Sequence, residues 1–410
     1  MSPVLRWGVL GLLAMLLALA GWRILGQGMA DSLAATDPQR ALAWNPGHPA
    51  ARLAQARALA DAGQADEAAA AARALLEDEP LQPQAWQLLG ELAAADQPGQ
   101  AAELHARALQ GSPRLAGSRA WLAQWEAGRG DADATLAHLD RLLHTHPGSR
   151  PQVFSYLGAL AADPVFRTPL VQLLATRPPW REGFLQHLRN TRELAPVADA
   201  VQAELQAGGQ LGREDFERWI EALLQRGDWS QAYARWAGSQ PPGVRLALVY
   251  NGDFGRRPQQ HGFDWRSPRT AGLQASFPAG GGVRLEYRNR RIDRAGLEQA
   301  LLLAPGRYRL QAKMQSEGLR SDRGLEWVVQ CAGNGAVLGR SDALRGSHES
   351  RMLEAEIQVP AECNGQWLRL RNAVRVPALQ AVSGRVTVQE VAIMPLPPEP
   401  MPPPSPASLP

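Results

Sequence analysis

"YNGDFGRRPQQHGFDWRS", Tyr250–Ser267, divides two kinds of sequence. Before it the chain is rich in Ala and Leu at helical spacing. After it, short runs alternate apolar and polar residues, the period of a half-buried strand. Asn251-Gly252-Asp253-Phe254 therefore reads as the turn that opens a new domain. The 410 residues leave room for two or three domains.

Working toward the C-terminus, "VRLALVYNGDF" is strand-like, and seven further strands are predicted at 281–288, 297–303, 307–314, 325–331, 351–359, 366–374 and 384–396. "PAGGGVR" at 278–284 reads as a hairpin turn, and Pro305-Gly306 as a turn between two strands. Short strands at this spacing predict an antiparallel β-sandwich over residues 244–396. The last segment, "MPLPPEPMPPPSPASLP", offers no core residue after Leu396, so 397–410 is expected to be a disordered Pro-rich tail.

Asn251-Gly252-Asp253-Phe254, followed by Gly262-Phe263-Asp264-Trp265, resembles the start of jelly-roll carbohydrate-binding modules. Pro305-Gly306-Arg307-Tyr308 resembles the Pro-Gly-x-Tyr hairpin of the same modules. The usual acidic residue after Phe254 is Gly255 here, so no calcium site is carried over. The resemblance implies glycan contact through aromatic rings, which stack on sugar C–H groups. Trp265, Tyr287, Tyr308, Trp327 and Trp367 are the candidates, set against the alternative that they form core. Trp327, beside Val328-Val329, reads as core; Trp265, in a loop, reads as the foremost ligand contact. Arg288, Arg290, Arg291 and Arg294 form a basic cluster suited to uronate or phosphate groups, or simply to water.

Working toward the N-terminus, Asn45-Pro46, Glu79-Pro80, Ser112-Pro113 and His146-Pro147 recur at intervals of 34, 33 and 34 residues. Each proline follows a helical run and ends it. This is the tetratricopeptide period. Trp86, Leu89, Gly90, Ala101 and Ala108 in one repeat, Ala56, Leu59, Gly63 and Ala68 in the one before, and Leu122, Ala123 and Gly130 in the next resemble its packing positions. Ala72 and His105 stand where a bulky aromatic is usual, which predicts loose packing. Tetratricopeptide-like repeats are thus assigned to 30–147, and degenerate helical repeats to 148–240. Such an array is expected to hold a protein partner on its concave face.

"VLRWGVLGLLAMLLALAGWRIL" carries no charge from Trp7 to Trp22 and is bracketed by Arg6 and Arg23. Residues 1–29 therefore read as a signal anchor crossing the inner membrane through residues 7–22, with the bulk of the chain in the periplasm. Ala18-Leu19-Ala20 keeps a cleaved signal peptide as the alternative. Cys331 and Cys363, the two cysteines, fit one disulfide in an oxidising compartment, or two buried thiols. Residues 247–396 hold 21 Arg and Lys against 14 Asp and Glu, a net of +7, which suggests an anionic partner.

No HExxH, GxSxG or phosphate-binding loop is present. His144 and His146 lack further metal-ligand residues alongside, and no cofactor, metal or nucleic-acid partner is called for. Asp253 and Asp264 are the residues an enzyme reading would need as paired carboxylates. The order of anchor, repeats and sandwich resembles a group of exported bacterial proteins associated with exopolysaccharide or O-antigen assembly. The expectation is a non-catalytic periplasmic scaffold, binding an envelope protein through its repeats and an anionic polysaccharide through its sandwich. The alternative is a purely structural protein-interaction module without glycan binding.

Overall fold

The structure, a computed structural model, describes residues 3–374, 376 and 379–397. The expected disordered tail falls on 398–410, outside the described residues apart from Pro397. Two compact units are present, Met1–Gln210 and Leu211–Pro410.

The first unit is helical. It contains α1 (Pro3–Leu33), α2 (Pro38–Trp44), α3 (Pro49–Asp61), α4 (Ala65–Asp78), α5 (Pro83–Ala93), α6 (Pro98–Gly111), α7 (Ala116–Gly128), α8 (Ala132–Thr145), α9 (Arg150–Leu160), α10 (Pro164–Ala175), α11 (Arg181–Asn190) and α12 (Ala195–Ala207). The four periodic prolines lie two residues beyond the ends of α2, α4, α6 and α8. Asn45, Glu79, Ser112 and His146 before them leave helical geometry, as a following proline demands. A second set of prolines opens α2, α3, α5 and α6, where the missing N–H would have no helical partner anyway. α3 with α4, α5 with α6, and α7 with α8 form the repeat pairs.

Their interior is built on small residues. Ala56, Ala72, Ala85 and Leu75 are fully buried in one cluster. The loose packing expected at His105 is not found. The ring is fully buried, stacked on Trp121 with centroids 4.6 Å apart, and hydrogen-bonded through Nδ1 to Ser118 Oγ at 3.1 Å. A Cβ at Gly90 would lie 2.9 Å from that ring, so glycine on α5 admits it. From α9 onward the interior changes. Phe154, Trp180 and Phe184 pack together, and the Trp180 indole N–H donates to Asp140 Oδ1 at 2.8 Å. Alanine spacing gives way to aromatic filling, which is why the sequence period fades there.

Burial lowers the His105 pKa below 6.5, and Nε2 has no hydrogen-bond partner among the described residues. A histidine with a depressed folded-state pKa binds more protons when unfolded. Its stabilising contribution is complete above 6.5 and is lost as the pH falls through that value toward the folded pKa. Thermal unfolding of the repeat unit is expected to lose up to about 1.4 kcal/mol per pH unit below 6.5 from this group. His138 on α8 is depressed in the same direction by burial and by Arg119. His105→Leu should therefore flatten the acid limb in part; an unchanged limb would show that His105 does not drive it.

The second unit opens with two more helices, α13 (Arg213–Arg226) and α14 (Trp229–Gly238), and continues into nine strands. These are β1 (Leu273–Ser276), β2 (Val283–Arg291), β3 (Arg294–Leu301), β4 (Gly306–Arg320), β5 (Leu325–Cys331), β6 (Val337–Arg340), β7 (Gly346–Val359), β8 (Gln366–Asn372) and β9 (Ala381–Pro395). One sheet has the order β1-β2-β9-β4-β7 and the other β3-β8-β5-β6, with every pairing antiparallel. Apart from the edge strand β1, this is the jelly-roll order. All seven predicted strands are present. β1 and β6, four residues each, were not foreseen.

Two local readings are corrected. Val244–Val249 form no strand: they line a cleft with residues 390–394 of β9 but make no backbone ladder with it. Pro305-Gly306 is no hairpin: β3 lies in one sheet and β4 in the other, so the turn carries the chain across the sandwich. The two units divide at Gln210/Leu211, so α13 and α14 fall in the unit that holds the sandwich.

Candidate functional site

The Asn-Gly-Asp-Phe turn closes one end of the sandwich with its backbone. The Tyr250 carbonyl accepts from Gln299 Nε2 at 2.8 Å, and the Asn251 carbonyl from the Trp265 indole N–H at 3.0 Å. The Gly252 carbonyl accepts from Val391 N–H at 2.8 Å, and the Asp253 carbonyl from Gly282 N–H at 3.1 Å. Four successive carbonyls thus tie four separate segments together. Asn251 and Phe254 adopt φ of +52° and +54°, a conformation asparagine tolerates better than most residues.

This arrangement consumes the foremost sugar-contact candidate. Trp265 is 0% exposed, stacked on Phe254 at 5.0 Å and tilted against Trp327 at 5.8 Å. It presents no face to a ligand, so its reading as a loop contact is corrected to core. Tyr287 is likewise buried; its hydroxyl donates to the Ala295 carbonyl at 2.7 Å, and burial raises its pKa far above the phenol range. Tyr308 is buried with its hydroxyl on the Ala304 carbonyl, and Trp327 donates to Met314 Sδ.

Trp367 stands on the outer face of the four-stranded sheet, but α14 covers it. Trp229 meets it edge-on at 5.5 Å, while the guanidinium carbons of Arg266 and Arg369 lie 4.9 and 5.0 Å from its ring centre. Arg266 is held by a two-pronged pair to Glu221 of α13, both bonds at 2.8 Å. Phe263, beside Trp265 in the same motif, inserts among Trp229, Tyr233 and Trp236 at 5.9, 5.0 and 5.6 Å. Gly262, at φ +60°, lies directly against the Trp236 ring, and Gly365 against Trp229, so neither site has room for a Cβ. The Gly-Phe-Asp-Trp stretch is therefore a clasp. Phe263 grips the helices and Trp265 anchors the sandwich.

Arg288, Arg290 and Arg291 do remain exposed. A bulge at Asn289 (φ +52°) breaks the strand alternation, so all three point away from the core. Arg288 donates to Gln274 Oε1 at 2.7 Å, and the Arg290 stem lies on Gly272. The expected five-residue site is thus divided, with the arginines at the surface and both rings inside.

Asp264 is buried and accepts from Gln259 N–H and Trp265 N–H at 2.8 and 2.7 Å; burial raises its pKa. Asp253 lies at the surface and caps Gly255 N–H at 3.1 Å. The two carboxylates therefore occupy different settings. Among the described residues no group of three His, Cys, Asp or Glu could hold a metal ion. His144 and His146 bond locally, to the Asp140 carbonyl and Thr145 Oγ1. Cys331 and Cys363 are joined by a disulfide between the end of β5 and the loop before β8, with Cα atoms 5.7 Å apart.

Among the described residues, one open site of about 750 Å³ lies between the segment 244–256 and residues 390–394 of β9, and two others bear more directly on ligand binding. The first is an apolar groove of about 360 Å³ in the helical unit. Ala116, Gly117 and Ala120 of α7 form one wall and Val153 and Tyr156 of α9 the other, over Leu139 and Leu142 of α8. The second is a polar cleft of about 340 Å³ on the outer face of the four-stranded sheet. Its Arg371 is paired with Asp293 at 2.7 and 3.0 Å, its Arg340 with Glu326 at 2.8 Å, and Gln330 and Gln380 add carboxamides. The groove was invisible in the sequence reading, although small residues at 116, 117 and 120 were its signal.

The tetratricopeptide repeat family matches residues 34–92. No curated protein matches the chain. Among solved structures, a CBM4 module is 12% identical, covering 36% of this chain and 99% of its own, with a TM-score of 0.30. A thermophilic TPR protein of Thermus thermophilus is 21% identical over 50% of this chain and 96% of its own, with a TM-score of 0.27. YrrB, described as a TPR protein with an unusual peptide-binding site, is 13% identical over 50% and 95%, with a TM-score of 0.29. The chain thus contains tetratricopeptide repeats followed by an antiparallel sandwich.

Proposed function

We propose that this protein is a non-catalytic scaffold of the cell envelope. It is anchored by α1, binds a protein partner through its repeats, and serves the assembly or export of a surface polysaccharide. The observation that carries the reading is the groove between α7 and α9. It is open, apolar and walled by residues small enough to admit a partner's side chain, the usual requirement for docking an extended or helical segment. α1 supports the anchor: Gly11–Leu33 has a mean hydropathy of 1.5 and is almost wholly exposed, a pattern shared by anchors and signal sequences.

The test is site-specific photo-crosslinking in living cells from Gln124, on the rim of the groove. Ala120→Arg should lower the yield of the crosslinked partner at least about tenfold, since a charge would have to be buried against it. It should also reproduce the surface-polysaccharide defect of a deletion strain. Unchanged crosslinking would move the partner site elsewhere, and a normal polysaccharide in the deletion strain would remove the export role.

The polar cleft favours a second ligand, a glycan. Each of its two arginines is already matched by a carboxylate. The cleft therefore suits hydroxyl groups of a neutral sugar better than the anionic polymer suggested by overall charge. Affinity electrophoresis of residues 211–397 in neutral surface polysaccharide should show retardation that survives moderate salt. Retardation lost in salt would assign binding to Arg288, Arg290 and Arg291, and none at all would leave a purely structural module.

A further inference from the structure

We infer that the first helix pair is itself a membrane-surface element, in which Trp44 of α2 is seated in the lipid interface beside the spanning helix. The inference rests on the anchor reading above and adds a second point of membrane contact. α1 is a single helix of 31 residues, about 46 Å long, whereas a hydrocarbon core of ~30 Å takes only about 20 of them. The surplus is not a flexible tether. Ala30 and Ala34 pack in a seam with Ala41 of α2 and Ala51 of α3. Asn45 donates to Gln27 Oε1 at 2.7 Å, and His48 Nε2 lies 2.7 Å from Asp31 Oδ1. Gly26 lets the Trp44 carbonyl approach α1; a Cβ there would be 3.3 Å from that oxygen. The span therefore runs directly into the repeat array and fixes how the array meets the bilayer.

The apolar surface of α1 also continues past its first boundary charge. Trp22, Ile24 and Leu25 are 66, 72 and 64% exposed, with Arg23 among them. Trp44 meets Trp22 at 6.0 Å and is itself 41% exposed, so α2 adds a ring at the level where the span leaves the apolar surface. Arg40 lies one turn before Trp44 on the same side of α2 and is largely exposed. A tryptophan with an arginine one turn farther from the span is the arrangement that settles at the boundary between headgroups and acyl chains. The occupant of this surface is the bilayer interface, because the surface is continuous with the spanning helix and shares its chemistry.

Because Cys331 and Cys363 are bonded to each other, an introduced cysteine can be spin-labelled selectively in the full chain. Labels are placed at Arg40→Cys, Leu16→Cys and Glu103→Cys in liposomes containing anionic lipid. The label at 40 should collide with an aqueous nickel reagent several-fold less often than the label at 103, and adding Trp44→Ser should raise it to the level of 103. Trp44 is a surface residue, so the variant keeps its helices, which circular dichroism checks. A label at 40 as accessible as at 103, with 16 shielded by lipid, would overturn the interfacial seat and leave the anchor standing. Free access at 16 as well would overturn both.

Discussion

Trp265→Ala unfolds the sandwich, and loss of ligand binding follows only as a consequence. The indole is wholly enclosed, stacked on Phe254 and tilted against Trp327, and it donates a hydrogen bond to the Asn251 carbonyl. Removing a buried tryptophan of this kind costs about 3–5 kcal/mol through lost contacts and the cavity left behind. The Asn251 carbonyl also loses one of its two donors, keeping only the Phe254 N–H. The measurement is denaturant unfolding of residues 211–397, followed by near-ultraviolet circular dichroism. The midpoint should fall by at least about a fifth of the wild-type value, and the native signal should vanish where the starting stability is near the lower bound, given total stabilities of about 5–15 kcal/mol. A variant of native stability that has lost glycan binding would reinstate Trp265 as a contact residue.

The helices and strands were largely readable because each rests on a local rule. Prolines two residues beyond the helix ends mark α2, α4, α6 and α8, and alternation marks the seven longer strands. β1 and β6 escaped because four residues provide too short a period, and both lie at sheet edges where alternation is weakly enforced. Val244–Val249 misled in the opposite sense: their strand propensity is real, but a strand also needs a ladder, and the segment forms none with β9 beside it. The site was less legible. Whether Trp265 points outward or inward is decided in part by Trp327, a strand residue distant in sequence that meets it only after folding. The arginine cluster was readable as exposed, since charges seldom bury. The pairing that neutralises Arg371 and Arg340 joins residues 78 and 14 positions apart, beyond any local pattern.

Phe263→Ala, two residues from Trp265, should fail in a different way. Its ring is buried among Trp229, Tyr233 and Trp236, whose spacing of four and three places them on one face of α14. Three aromatics in ten residues are far more than the alanine-based repeat pairs carry, because this face packs on the sandwich. Truncation costs about 3–5 kcal/mol, but the loss falls on the clasp and spares the Trp265 core. Glu221 and Arg266 keep a partly exposed ion pair that cannot hold the helices by itself. The expected result is a sandwich that still unfolds cooperatively, while Trp229 and Trp367 become accessible to acrylamide and the Pro241–Gly243 segment becomes open to protease. A fragment starting at residue 244 would expose the same surface and should aggregate, whereas one starting at 211 should stay monomeric. Equal solubility of the two fragments, with unchanged quenching in Phe263→Ala, would show that α13 and α14 are not needed to complete the domain.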